Sequence, residues 1–210
     1  GMSQGAKQLY LQTTSLVAGF MVWVLISSLM PYIQADIKLS STQISLATAV
    51  PVILGSLLRV PIGYWTNRFG ARTIFTISFI ILLLPIGILS FANSLFMLIL
   101  GGLMLGIGGA VFSIGVTSLP KYFPKEKHGF INGIYGSGNI GTALTSFASP
   151  VLANAFGWRT TIQIFLIVVL VFAILNFLFG DKNERKVNNS LTEQIKEVYK
   201  NDKLWFLSLF

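Results

Sequence analysis

The chain has 210 residues, of which 53% are hydrophobic and 10% charged, against about 25% charged in an ordinary soluble domain. The formal net charge is +8, with no cysteine and one histidine. This composition excludes a water-phase globular enzyme, a disulfide framework, a thiolate metal site and a histidine-rich metal site. The basic residues fall between apolar segments and do not gather on one soluble face, so they read as membrane topology and not as a nucleic-acid surface.

Apolar stretches near or beyond the roughly 20 residues that cross a hydrocarbon core recur down the chain. In chain order the predicted spans are Leu9–Ile33, Ile44–Trp65, Thr73–Ala92, Leu95–Leu119, Phe130–Ala155 and Thr160–Phe179. They follow a short N-terminal segment, residues 1–8. The first span is too long for a signal-peptide core and is expected to be retained. Residues 180–203 form the long polar connection. Its Leu191, Ile195, Val198 and Tyr199 recur at helical spacing, which fits either an amphipathic surface helix or a solvated linker. A seventh apolar run, residues 204–210, is too short to cross a bilayer and reads as the start of a further helix. The expected fold class is therefore an all-α membrane protein, a six-helix transmembrane bundle.

Twelve of the fifteen Lys and Arg residues lie in the N-terminus and in the second, fourth and sixth connections. Lys38 and Arg159 lie on the other side. The positive-inside bias then places the N-terminus and the Lys182–Lys203 segment in the cytoplasm.

The fourth span is rich in glycine. Gly102, Gly106, Gly109 and Ser113 share one helical face, and Gly101, Gly108 and Gly115 share the adjoining one. In the fifth span Gly129, Gly133 and Gly136 share one face, and Gly138, Gly141 and Thr145 another. Small residues let helix backbones approach in lipid, where association depends on packing and not on expelling water. These glycines are expected at helix contacts, or clearing space for a small ligand.

Arg59 stands inside the second span. An arginine at a helix centre costs on the order of 2.5–3.5 kcal/mol, so it needs a partner or a wet cavity. All seven acidic residues lie in predicted loops or near span ends. Two readings remain: the side chain snorkels about 13 Å toward the level of Arg68, or it is a fixed cation whose counter-ion is the solute. The second reading makes the solute an anion. No acid, histidine or cysteine lies within the spans for acid–base or nucleophilic work, so an intramembrane enzyme is not expected, and nothing in the sequence calls for a cofactor.

The loop Gly63-Tyr-Trp-Thr-Asn67-Arg68-Phe-Gly70-Ala-Arg72 resembles the G-x-x-x-D-R-x-G-x-R motif of the major facilitator superfamily, and Gly157-Trp158-Arg159 is similar to that superfamily too. The run from Gly106 to Ala143, with Gly136-Ser-Gly138-Asn139-Ile-Gly141, resembles the nitrate/nitrite porter family and its fifth-helix G-x-G-N-x-G signature. The phrase around Arg59 is similar to the second helix of that family.

The resemblance covers nearly the whole chain. It implies the N-terminal half of a twelve-helix fold built from 3+3 inverted repeats, with substrate held near the midplane against a second six-helix half. It further implies that Arg59 holds nitrate or nitrite, that Phe112 packs against the planar anion, and that Asn139, with Gly109, Tyr135 and Gly136, lines the same site. A guanidinium fork suits a flat oxyanion. Phe112 also fits ordinary packing, and Asn139 an interhelical hydrogen bond. Asn67 departs from the motif aspartate, which removes a charge expected at that loop. The implied activity is alternating-access transport across the cytoplasmic membrane, with protons or a second anion as coupling partner. The competing readings are a non-transporting membrane module and a half-transporter that pairs to complete the site.

Overall fold

The structure is a computed structural model describing residues 2–187; the proposed surface helix around Leu191–Tyr199 and the run at 204–210 lie outside these residues. Among the described residues all regular structure is helical. The first span is α1 (Gln4–Trp23) followed by α2 (Leu25–Asp36), with a turn at Val24. The second is α3 (Ser41–Phe69) and the third α4 (Ala71–Ser90). The fourth is α5 (Leu95–Ala110) and α6 (Phe112–Ser118), interrupted at Val111 and prolonged by a 3₁₀ turn, Leu119–Tyr122. The sixth is α9 (Trp158–Phe179). These five stretches are long and apolar enough to cross a membrane.

The predicted fifth span, Phe130–Ala155, differs from the expectation of one continuous helix. It runs as α7 (His128–Gly136), a 3₁₀ turn at Ser137–Asn139, and α8 (Ile140–Phe156). Four glycines at 133, 136, 138 and 141 surround Ser137. Each weakens the α-helical register by roughly 1 kcal/mol relative to alanine, and a short 3₁₀ segment inside a helix often marks a functional hinge.

Two three-span units repeat with inversion. The second and fifth spans both end at a glycine with positive φ, Gly70 at 88° and Gly157 at 85°, and a new helix begins at once with arginine at its second position. The two arginines then make equivalent bonds at opposite ends of the bundle. Arg72 Nε donates to the Phe177 carbonyl at 2.8 Å, and Arg159 Nη2 to the Ala92 carbonyl at 2.8 Å. Each guanidinium also lies over an aromatic ring, of Phe177 and Trp158 respectively. The first and fourth spans share the mid-helix interruption, at Val24 and Val111. The pairings agree: α3 packs on α5, α1 and α2 on α8, and α4 on α9.

The first span crosses the middle of the bundle, and buried polar side chains stitch it to its neighbours. Gln12 Nε2 donates to Ser118 Oγ at 3.1 Å, Asn176 Nδ2 to Ser15 Oγ at 2.9 Å, and Thr145 Oγ1 to the Met21 carbonyl at 2.8 Å. In a bilayer such groups find no water, and these bonds satisfy each of the donors named.

Candidate functional site

Close backbone contact between the second and fourth spans sets the position of Arg59. A Cβ on Gly106 would come within 2.7 Å of the Gly55 nitrogen and 2.9 Å of the Pro51 carbonyl. Gly106 therefore cannot carry a side chain without separating α3 from α5, and a Cβ on Gly55 would press on the Gly106 carbonyl at 3.1 Å. Arg59 is one helical turn beyond Gly55 on the same face. Its guanidinium carbon lies 5.2 Å from the centroid of the Phe112 ring, the first residue of α6, within the range of a cation–π contact.

Phe112 stands in a row of aromatic rings. Tyr135 of α7 stacks on it at 5.6 Å and 28°, and Phe20 of α1 lies at 6.5 Å and 25°. Trp23 continues the row 5.1 Å from Phe20, and its indole N–H donates to the Pro51 carbonyl at 3.0 Å. Gly109 faces that indole so closely that any Cβ would overlap it. Residues of four spans thus meet around a half-buried arginine. Phe20 and Trp23 were not singled out from the sequence. Their only sequence signal was an aromatic pair three residues apart beside Gly19.

The other predicted site residues divide. Tyr135 is fully buried, and its hydroxyl donates to the Val111 carbonyl at 3.0 Å while accepting the Gly115 N–H at 3.2 Å. Gly136 precedes the 3₁₀ turn and Asn139 is its last residue. The Asn139 side chain is exposed and its carbonyl accepts from Thr142 Oγ1.

Among the glycines predicted at helix contacts, Gly102 meets Ile26 and Val50, Gly138 meets Leu16, and Gly141 abuts the Val17 backbone. Gly129, Gly133 and Gly136, the other face of the fifth span, do not meet the expectation of a helix contact: nothing among the described residues lies within 4 Å of a Cβ built on any of them. Gly133 and Gly138 are five residues apart, which places them on different faces, and only the second is turned toward α1.

At the loop motif, Gly63 is buried within α3, Arg68 Nη1 donates to Tyr64 Oη at 3.2 Å, and the Asn67 carbonyl accepts the Val187 N–H at 2.9 Å. The carboxylate missing at position 67 has a counterpart that the sequence did not reveal. Glu184, 4% exposed, accepts from Ala71 N–H at 3.1 Å, Ser118 Oγ at 2.8 Å and Lys121 Nζ at 3.0 Å. It puts negative charge at the N-terminus of α4, where the helix dipole favours it.

A family profile described as the Major Facilitator Superfamily matches residues 13–210. The chain is 68% identical over 203 residues to the "Nitrite extrusion protein" of Bacillus subtilis (strain 168), covering 97% of this chain and 51% of that protein. It is 59% identical over 209 residues to the "Probable nitrate transporter NarT" of Staphylococcus epidermidis, covering 100% of this chain and 54% of that one. The protein of the same name from Staphylococcus carnosus is 56% identical over 208 residues, covering 99% and 54%. The chain spans about half the length of these curated relatives.

Among solved structures, a bacterial homologue of the human lysosomal transporter Spinster, inward-facing and unoccupied, superposes with a TM-score of 0.70 at 18% identity. The match covers 90% of this chain and 46% of that one, which supports the fold alone. The relatives carry the names of transporters and not of enzymes. The profile match and the inverted three-span repeats lead to one conclusion: the chain belongs to the Major Facilitator Superfamily, as a multi-pass membrane protein with the fold of that superfamily's N-terminal half.

Proposed function

We propose that this chain supplies the N-terminal half of a carrier for a small planar oxyanion, nitrate or nitrite, and that Arg59 is its cationic contribution to the substrate site. The observation that carries the reading is the Arg59 guanidinium held 5.2 Å from the Phe112 ring where four spans converge. The names of the relatives, a nitrite extrusion protein and nitrate transporters, support the choice of anion.

A guanidinium offers parallel N–H donors to two oxygens of a flat anion, and an adjacent ring supplies a planar apolar wall. In this reading the site is completed by a second six-helix half, and rocking of the halves about it exposes the anion to each side in turn. The membrane is the cytoplasmic membrane, with the N-terminus and the Glu184 end of the bundle facing the cytoplasm. Gly109, which admits the Trp23 indole, and Gly136 and Asn139, at the break in the fifth span, complete the site in this reading.

The test is reconstitution of the full-length protein in proteoliposomes, with nitrate and nitrite movement measured in the presence and absence of a pH gradient. Saturable flux of either anion is expected, and a response to the gradient would identify protons as the coupling ion. Absence of flux for both anions in correctly inserted protein would overturn the assignment.

A further inference from the structure

We propose that Tyr135 is a positioning residue: its hydroxyl replaces one backbone rung of the fourth span and thereby fixes the Phe112 ring against Arg59. In an unbroken α-helix the Gly115 N–H would donate to the Val111 carbonyl four residues earlier. Here Gly115 N–H donates to the Tyr135 hydroxyl at 3.2 Å, and that hydroxyl donates onward to the Val111 carbonyl at 3.0 Å. The Val111 carbonyl also accepts from Ile114 N–H at 3.0 Å, a tighter three-residue bond. One phenol oxygen is thus inserted between the two halves of a helical rung, and the helix is interrupted at Val111 with Phe112 as the first residue beyond.

Three features make the insertion specific. The Tyr135 ring occupies the space that any Cβ on Gly115 would need, so glycine at 115 admits it. Both bonds are buried, and the tyrosine is 0% exposed. Backbone groups in a bilayer interior must be satisfied by protein, and the hydroxyl satisfies a donor and an acceptor at once. The same ring stacks on Phe112 at 5.6 Å. The hydroxyl therefore sets the backbone from which Phe112 projects, and the ring sets the face against which Phe112 rests. With both its hydrogen-bonding roles engaged in the protein, the Tyr135 hydroxyl acts on the anion only through Phe112. Because Tyr135 lies at the end of α7, one residue before Gly136 and the 3₁₀ turn, a change in the fifth span is transmitted directly to Phe112.

The positioning role rests on the oxyanion reading of the Arg59 site, so the test has one arm that uses the anion and one that does not. In the first, affinity for nitrate and nitrite is measured in full-length wild type, Tyr135→Phe, Phe112→Leu and the double variant. Tyr135→Phe is expected to weaken binding by roughly threefold to tenfold. The double variant should bind no more than about twofold weaker than Phe112→Leu alone, because coupled residues are not additive. Wild-type affinity in Tyr135→Phe, or losses that simply add, would overturn the proposal.

In the second arm, amide hydrogen exchange of residues 111–118 is followed without ligand. Exchange about tenfold faster in Tyr135→Phe, and unaltered in Arg59→Lys, is expected; unchanged exchange in Tyr135→Phe would overturn the inserted rung. If wild type binds neither anion, the functional reading fails while this arm still decides the rung. A 3-fluorotyrosine at 135 keeps the hydroxyl but changes its hydrogen-bond strength, and serves both arms should the phenylalanine variant not insert.

Discussion

Lys121 and Glu184 form an ion pair of 3.0 Å in which the side chains are 6% and 1% exposed. The pair joins the end of the fourth span to the segment that follows the sixth. The other carboxylate oxygen holds Ser118 and the first N–H of α4, and Lys121 also donates to the Arg185 carbonyl at 2.8 Å. Ser118 in turn accepts from Gln12, so one carboxylate links the first, third, fourth and sixth spans at the end of the bundle that bears the loop motif.

Removing one partner of such a pair leaves a buried charge without compensation, at a cost of roughly 3–5 kcal/mol. Glu184→Gln and Lys121→Met are each expected to lower the thermal midpoint of the purified full-length protein clearly. The double change should cost less than the sum of the two. Additive losses, or no loss in either variant, would show that the pair does not hold the spans together.

Arg59→Lys retains the positive charge and removes the planar fork of donors. Losing the bidentate part of a charge-assisted contact should cost roughly 1.5–3 kcal/mol, which is about one to two decades in nitrate or nitrite affinity. A snorkelling arginine would tolerate lysine, whose flexible stem reaches as readily. Wild-type affinity in a variant shown to insert normally would remove Arg59 from the substrate site.

The glycines make a graded prediction. Gly109→Leu and Gly138→Leu would drive side chains into the Trp23 indole and Leu16 respectively, and Gly141→Ala would meet the Val17 backbone, which cannot rotate away. All three are expected to reduce yield and thermal stability. Gly133→Ala has open space among the described residues and sits within a helix, where alanine is favoured by about 1 kcal/mol. Equal damage from Gly133→Ala and Gly141→Ala, compared by fluorescence-detected thermal unfolding, would refute the ranking.

The bias of twelve basic residues to one side against two on the other predicts a cytoplasmic location for a reporter fused after Arg185. The reporter should be active only if cytoplasmic, and a paired reporter after Lys38 should give the opposite signal. An external signal after Arg185 would overturn the orientation.

The sequence by itself located the apolar spans, because crossing a bilayer imposes a local requirement: about 20 consecutive apolar residues, whatever their neighbours; it did not show the break in the fifth at Ser137–Asn139. It also marked Arg59, since a cation within an apolar run is visible without knowing what surrounds it, and it carried the loop and glycine patterns that resemble the superfamily. What it left open depends on which spans touch. Nothing local to Glu184 announces that its carboxylate caps a helix 113 residues earlier in the chain.

The facing of Gly133 away from α1 and of Gly138 toward it follows from the rotation of the fifth span, which its neighbours set. The turn at Ser137–Asn139 shifts that rotation midway. The pairing of Tyr135 with Gly115 is of the same kind. A tyrosine in an apolar helix needs a partner for its hydroxyl, but only the packing of the fourth and fifth spans decided that the partner would be the backbone of another helix, next to the Phe112 ring that Arg59 lies over.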